Sequence, residues 1–269
     1  MPEPWRTLLT LAAGLVTGVL SGMFGIGGAV VSNPAIRALG ASPIQSVGST
    51  LPSILPSAIS GALRYHREGL LRLRVVAWTG FSGAFAAIGG SLLTTIVPDA
   101  RALTISIAVL MVYTAVRTGR VAWPATVPAD ESETAPTDVE PTSGRDDWWT
   151  LVAIGLVAGL FSGLLGIGGG LLLVPAFTAL LRLPLKETLG TSLACVGIIA
   201  VPGTVTHALL GHIDWGFAIP LSIAVIPGAR FGAGLAIRAS DRALRLTVAI
   251  GLSVVAVVYA TTELAALIG

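Results

Sequence analysis

Two near-copies of one motif carry the residue types that could do chemistry, SGMFGIGGAVVSNP at 21–34 and SGLLGIGGGLLLVP at 162–175. Gly25, Gly27 and Gly28 in the first copy, and Gly166, Gly168, Gly169 and Gly170 in the second, permit a tight turn and close backbone approach. The short apolar segment after each turn would begin with unpaired N–H groups and the positive end of a helix dipole, which together favour an anion. Ser21 and Ser162 stand just before the turns and add hydroxyl donors, and Asn33 adds an amide to the first copy. Downstream, GST at 48–50 and GTS at 190–192 place Ser49, Thr50, Thr191 and Ser192 near the start of a helix. The expected chemistry is therefore binding of a small anion by neutral donors. A second reading stands beside it. GVLSG at 18–22 and GLFSG at 159–163 fit the small-residue motifs that let membrane helices pack closely. Ser and Thr can also bond back to their own helix.

Other residues weigh less. Arg230, in IPGARFGAG, is the deepest cation, and either snorkels to the interface or attracts and gates an anion. His207 and His212 fall at the outer end of one helix, where a histidine is either solvated or couples protons, since its charge changes near neutral pH. Their spacing, without a nearby cysteine, is poor for zinc. Glu68, Asp99, Glu187, Asp214 and Asp241 all fall at segment ends, so no buried carboxylate relay is expected. Asp99 and Asp241 read as helix N-caps. No nucleotide-binding, nucleophile-elbow or zinc-protease motif occurs, so neither an enzyme nor a cofactor is expected.

These residues need elements to hold them, and composition says what kind. The chain has 269 residues, 54% hydrophobic and 11% charged, with mean hydropathy +0.85. Soluble domains carry about 25% charged residues, so the solvent here is lipid. The single cysteine, Cys195, excludes an internal disulfide and reads as a small buried apolar residue. The basic balance does not imply nucleic acid, because the Lys and Arg lie in short loops where they orient membrane proteins. Trp5, Trp78, Trp123, Trp148, Trp149 and Trp215 fall near segment ends, as interfacial belts do.

Residues 14–35 and 155–176 align without gaps at 12 identical positions of 22. A signal-peptide-like N-terminus with a copy in mid-chain reads as structure, so it is expected to be kept. The match continues with a one-residue offset, giving a first repeat at 1–122, a linker at 123–147 and a second repeat at 148–269. The linker holds four prolines and seven of the fourteen acidic residues, and reads as solvated and disordered. Apolar segments are expected at 8–24, 29–39, 44–63, 75–97 and 102–119, then at 149–165, 169–181, 189–210, 215–237 and 243–268. The second segment of each half is too short for a roughly 30 Å hydrocarbon core. The first two segments of each half should therefore form a broken or re-entrant pair. Counted on that basis, Arg6, Arg37 and Arg101 lie on one face and the other thirteen Lys and Arg on the opposite face. That split puts the linker in the cytoplasm and both termini outside. The expected fold is an all-α integral membrane protein. Its two homologous halves are inverted repeats, each with a short broken or re-entrant helix pair plus about three transmembrane helices.

The doubled GxxSGxxGIGGG…P motif, the GTSL that follows it and the region HALLGHIDW resemble the TauE/SafE family of sulfite-exporter permeases. The resemblance covers both halves outside the linker. It implies a multi-pass permease of the cell membrane that moves sulfite, sulfonates or other small organosulfur anions, commonly outward. The first copy departs from the pattern at Ala29, at Ser32 and Asn33, and at Pro52. The implied partners are a small anionic substrate and the lipid bilayer, with proton coupling through His207 or gating at Arg230 as candidates. The alternatives are a channel or carrier for another small solute, and a non-transporting structural or receptor module.

Overall fold

A computed structural model describes residues 3–94, 147–166 and 168–240, with six further residues between 243 and 251. The expected segments 102–119 and most of 243–268, the linker up to residue 146, and the caps at Asp99 and Asp241 lie outside the described residues.

Every regular element among the described residues is a helix. These are α1 (Glu3–Phe24), α2 (Ala29–Ala38), α3 (Pro43–Arg67), α4 (Leu73–Leu93), α5 (Trp148–Leu165), α6 (Gly170–Ala179), α7 (Leu185–Leu209) and α8 (Trp215–Arg238). Five of them, α1, α4, α5, α7 and α8, are long and apolar enough to cross a membrane. At 25 residues α3 has the length as well, but its buried face carries Ser46, Ser49, Thr50, Ser53 and Ser57. At 10 residues each, α2 and α6 reach only about 15 Å at 1.5 Å per residue.

Local chemistry sets the helix ends. Ser42 opens α3 with a capping box: its hydroxyl accepts from the Gln45 N–H while the Gln45 side chain accepts from the Ser42 N–H, and Pro43 fills the first helical position. Asp214 caps α8 by accepting from the Gly216 N–H at 2.8 Å. Glycine stripes set the packing. Gly14, Gly18 and Gly22 on α1 lie against Ala224, Val225 and Ala229 on α8, and a Cβ on Gly18 would stand 2.5 Å from the Val225 carbonyl oxygen. Gly155, Gly159 and Gly163 on α5 lie in the same way against Thr79, Gly83 and Ala87 on α4. Small residues one turn apart let the two backbones touch, because apolar side chains gain nothing by leaving lipid for each other.

The same contacts give directions. Along α1 and α8 residue numbers rise together, as they do along α5 and α4, so each pair is parallel. Gly48, near the start of α3, meets His212 just past the end of α7, and Gly190, near the start of α7, meets Tyr65 near the end of α3. Those two helices are therefore antiparallel. At one end of the molecule Arg6 pairs with Asp214 at 3.1 Å and lies over the Phe217 ring, and Ile36 and Ala41 pack on Phe217. At the other end Arg72 pairs with Glu187 at 2.6 Å, and Lys186 donates to the Ile237 carbonyl. Tryptophans mark both levels, with Trp5 and Trp215 at the first and, at the second, the stacked Trp148 and Trp149 with Trp78 tilted against Trp148. Between them Phe81, Phe85, Ile219, Ile223 and Phe231 point outward, the surface a bilayer covers.

Candidate functional site

The two glycine turns are built alike. After α1, Gly25, Gly27 and Gly28 take φ of 68°, 84° and 80°; after α5, Gly166, Gly168 and Gly169 take 65°, 78° and 72°. Gly28 and Gly169 are the N-caps of α2 and α6, a left-handed conformation that a side chain disfavours. Gly170 is the first residue of α6, where the first repeat has Ala29. Each short helix starts directly from its glycine turn.

The turns meet at the centre. Gly27 and Gly168 both face Ile54 on α3 and Val196 on α7, and a Cβ on Gly170 would stand 2.6 Å from the Ile26 backbone. Each turn is held from the opposite repeat. Ser192 on α7 donates to the Gly25 carbonyl at 2.8 Å, and Thr50 on α3 reaches the Gly166 carbonyl at 3.4 Å while bonding Val47 at 3.0 Å. A second pair of hydroxyls serves the neighbouring loops. Ser49 accepts from the Asp214 N–H at 2.8 Å and Thr191 from the Arg72 N–H at 3.1 Å. Thus Ser49, Thr50, Thr191 and Ser192 stand near the turns, and each has backbone to hold.

Ser21 and Ser162 occupy matching sites with different neighbours. Ser57 donates to Ser21 at 2.8 Å. The position matching Ser57 is Ile199, and the Ser162 hydroxyl has no partner. Three more buried polar atoms share that condition: Thr17 Oγ1, Ser32 Oγ and Asn33 Oδ1. Each unmade hydrogen bond costs about 1–3 kcal/mol in burial. Thr17 and Ser21 are one turn apart on α1 and both border Gly28, and Ser32 closes the first turn of α2 through its N–H to the Gly28 carbonyl. Two unpartnered hydroxyls, Thr17 and Ser32, and the Asn33 amide oxygen thus lie near the start of α2. Charge does not: among the described residues no Asp, Glu, Lys or Arg is buried.

The remaining predicted residues lie elsewhere. His207 is fully buried, unlike a solvated interfacial histidine. Its Nε2 lies 3.1 Å from the Gly163 carbonyl and its Nδ1 3.1 Å from His212 Nδ1. The carbonyl requires an N–H on Nε2, so a neutral His207 accepts at Nδ1 and His212 donates there. The matching contact in the first repeat is Tyr65, whose hydroxyl donates to the Gly22 carbonyl at 2.9 Å. Arg230 is exposed and joins Arg64 and Arg238 along a cleft of about 400 Å³ floored by Pro227 and Gly234, away from the turns. Residue types alone did not single out Thr17, Ser57 and Tyr65. The spacing of Thr17 from Ser21, four residues on a helix, was the available signal for the first.

Comparison with known proteins places this geometry. Residues 10–259 match the family described as "Sulfite exporter TauE/SafE". A "Probable membrane transporter protein YunE" of Bacillus subtilis is 25% identical over 247 residues, 85% of this chain and 86% of the relative. A "Probable membrane transporter protein" of Xylella fastidiosa is 27% identical over 254 residues, 93% of this chain and 92% of the relative. No solved structure matches the chain.

Proposed function

The chain belongs to the TauE/SafE sulfite exporter family, and from that premise we propose that it is a secondary transporter carrying small sulfur oxyanions, sulfite or organosulfonates, out across the cell membrane. The observation that carries the reading is the set of unpartnered buried polar atoms, Thr17 Oγ1, Ser32 Oγ, Asn33 Oδ1 and Ser162 Oγ, beside two glycine-capped helix starts. A group that only packs has no reason to bury polar atoms without partners. The substrate oxygens would take the Thr17, Ser32 and Ser162 hydroxyls and the leading N–H groups of α2 and α6. Gly25, Gly27, Gly28, Gly166, Gly168, Gly169 and Gly170 would let the backbone approach. Ser21, Asn33 and Ser162 would touch the anion, and Ser49, Thr50, Thr191 and Ser192 would hold the turns.

We read the two halves as inverted repeats. The antiparallel run of α3 and α7 supports this, because a two-fold axis lying in the membrane relates a helix to an antiparallel partner. Orientation follows from charge. Among the described residues Arg6 and Arg37 lie toward the Asp214 end, and Arg64, Arg67, Arg72, Arg74, Arg182, Lys186, Arg230 and Arg238 toward the Glu187 end. The positive-inside rule makes the latter cytoplasmic, together with the linker, and puts the termini outside. An inside-negative potential then favours anion exit by about 2.3 kcal/mol per charge per 100 mV.

Flux from proteoliposomes with a potassium-diffusion potential tests this directly. Efflux of sulfite or a sulfonate that accelerates when the interior is made negative is the expected result. Flux indifferent to potential and equally fast for a neutral solute would replace the transporter reading with a channel. No flux of any solute would favour a structural module.

A further inference from the structure

The two hairpins share a backbone but not a lining. Buried positions related by the repeat differ in one sense: Thr17, Ser32, Asn33, Ser53 and Ser57 in the first half stand where the second has Ala158, Leu173, Val174, Cys195 and Ile199. All ten are buried, so the difference is not one of lipid exposure. Ser53 and Ser57 have partners, the Thr50 carbonyl at 2.7 Å and Ser21 at 2.8 Å. The Thr17 and Ser32 hydroxyls and the Asn33 amide oxygen have none, and all three residues are at least 98% buried. Thr17 borders the N-cap of α2, and Ser32 and Asn33 lie on that helix. The Thr17 methyl stands 2.7 Å from where a Gly28 Cβ would be, and Ser32 and Asn33 lie one turn into the helix that Gly28 caps. Each hydroxyl has a proton to donate and no acceptor for it. Asn33 can present its amide N–H by turning end for end, since oxygen and nitrogen are interchangeable in such placements.

No buried cation faces the start of α2 among the described residues. The first turn of α2 supplies about half a positive charge through its dipole. The cost of stripping water from an ion rises with the square of its charge, and neutral donors offset it far better for one charge than for two.

We propose that the first repeat supplies most of the oxyanion site, Thr17, Ser32, Asn33 and the start of α2, with Ser162 the one side chain from the second, and that the site holds a single negative charge. The ligand class is a monoanionic sulfur oxyanion, a sulfonate or hydrogensulfite. Sulfate and fully ionised sulfite, with two charges on one head, are excluded. This rests on the anion-transport reading and sharpens it.

Binding to the purified full-length protein in nanodiscs, measured calorimetrically with methanesulfonate and with sulfate, separates the two claims. Methanesulfonate should bind at least tenfold more tightly than sulfate, and sulfite affinity should rise as pH falls and hydrogensulfite accumulates. Thr17→Val, Ser32→Ala and Asn33→Leu should each weaken methanesulfonate several-fold, while their melting temperatures hold or rise, because each removes a buried orphan. Val174→Ala, the counterpart of Asn33, should leave binding unchanged. Sulfate binding as tightly as methanesulfonate would refute the single charge and leave the transporter reading standing. Ser162→Ala costing binding while the three first-repeat variants do not would refute the one-sided site. Failure of every anion to bind would overturn this inference and the proposed function together.

Discussion

Gly27→Ala tests whether the central glycines do two jobs at once. Gly27 has φ of 84°, and a Cβ there would stand 2.5 Å from Val196 Cγ1 and 3.5 Å from Ile54 Cγ2. The left-handed backbone costs an alanine about 1–2 kcal/mol, and forcing a methyl into a filled site costs about 1–3 kcal/mol more. The sum is about 2–5 kcal/mol, a fall in melting temperature of roughly 5–15 °C for a chain of this size. Gly40 is the control: it has φ of 101° and nothing within 4 Å of its would-be Cβ, so Gly40→Ala should lose only the backbone share. Val196→Ala introduced with Gly27→Ala should restore about 1–3 kcal/mol relative to additivity. Thermal unfolding in detergent measures all five proteins, the wild type, the three single variants Gly27→Ala, Gly40→Ala and Val196→Ala, and the double, and flux measured below the lowest melting temperature reports on function separately. If Gly27→Ala and Gly40→Ala cost the same, or if the double variant is simply additive, the turn is not packed against Val196 as described. If stability behaves as expected but flux in folded Gly27→Ala is normal, the turn packs and does not meet substrate.

Three further outcomes follow. Ser192→Ala should cost about 1–3 kcal/mol in thermal unfolding by leaving the buried Gly25 carbonyl unpaired, and Thr50→Val should cost less, because its reach to Gly166 is 3.4 Å; the reverse order would deny the hydroxyls their holding role. Burial holds the His212 imidazole below its ordinary range. A depressed histidine stabilises the fold above the unfolded value of about 6.5 and loses that contribution as pH falls through the folded value. Melting temperature should therefore drop on going from about pH 7.5 to about pH 5, more steeply than in His212→Gln, and parallel profiles would refute the assignment. Finally, on a Cys195→Ala background, Ala38→Cys should react with an impermeant maleimide from outside, and His66→Cys only after permeabilisation, since these exposed positions lie just before the start of α3 and at its far end; the opposite pattern would invert the orientation.

The sequence alone determined the solvent, the helices and the breaks between them. Hydropathy and Gly placement are local signals, and they set α2 at Ala29–Ala38 against an expected 29–39, and α8 at Trp215–Arg238 against 215–237. The same signals undershot where polar ends continue a helix: α1 begins at Glu3, and α3 runs on to Arg67 past the expected 63. The duplicated turns were legible because glycine with positive φ leaves a composition mark wherever it is needed.

What each polar side chain holds was decided by the tertiary structure. Ser192 bonds a carbonyl 167 residues away and Ser49 an N–H 165 away, and no local pattern encodes such a partner. Tyr65 and His207 share no chemistry as residue types, yet each grips the matching glycine carbonyl, Gly22 or Gly163, because the repeat carries backbone geometry while side chains diverge. The orphaned Thr17, Ser32 and Asn33 emerged only when burial and partners were known together. A hydroxyl on an apolar helix reads the same in sequence whether it faces lipid, its own backbone or a substrate. Packing alone removes water and neighbours from it, and so separates the three.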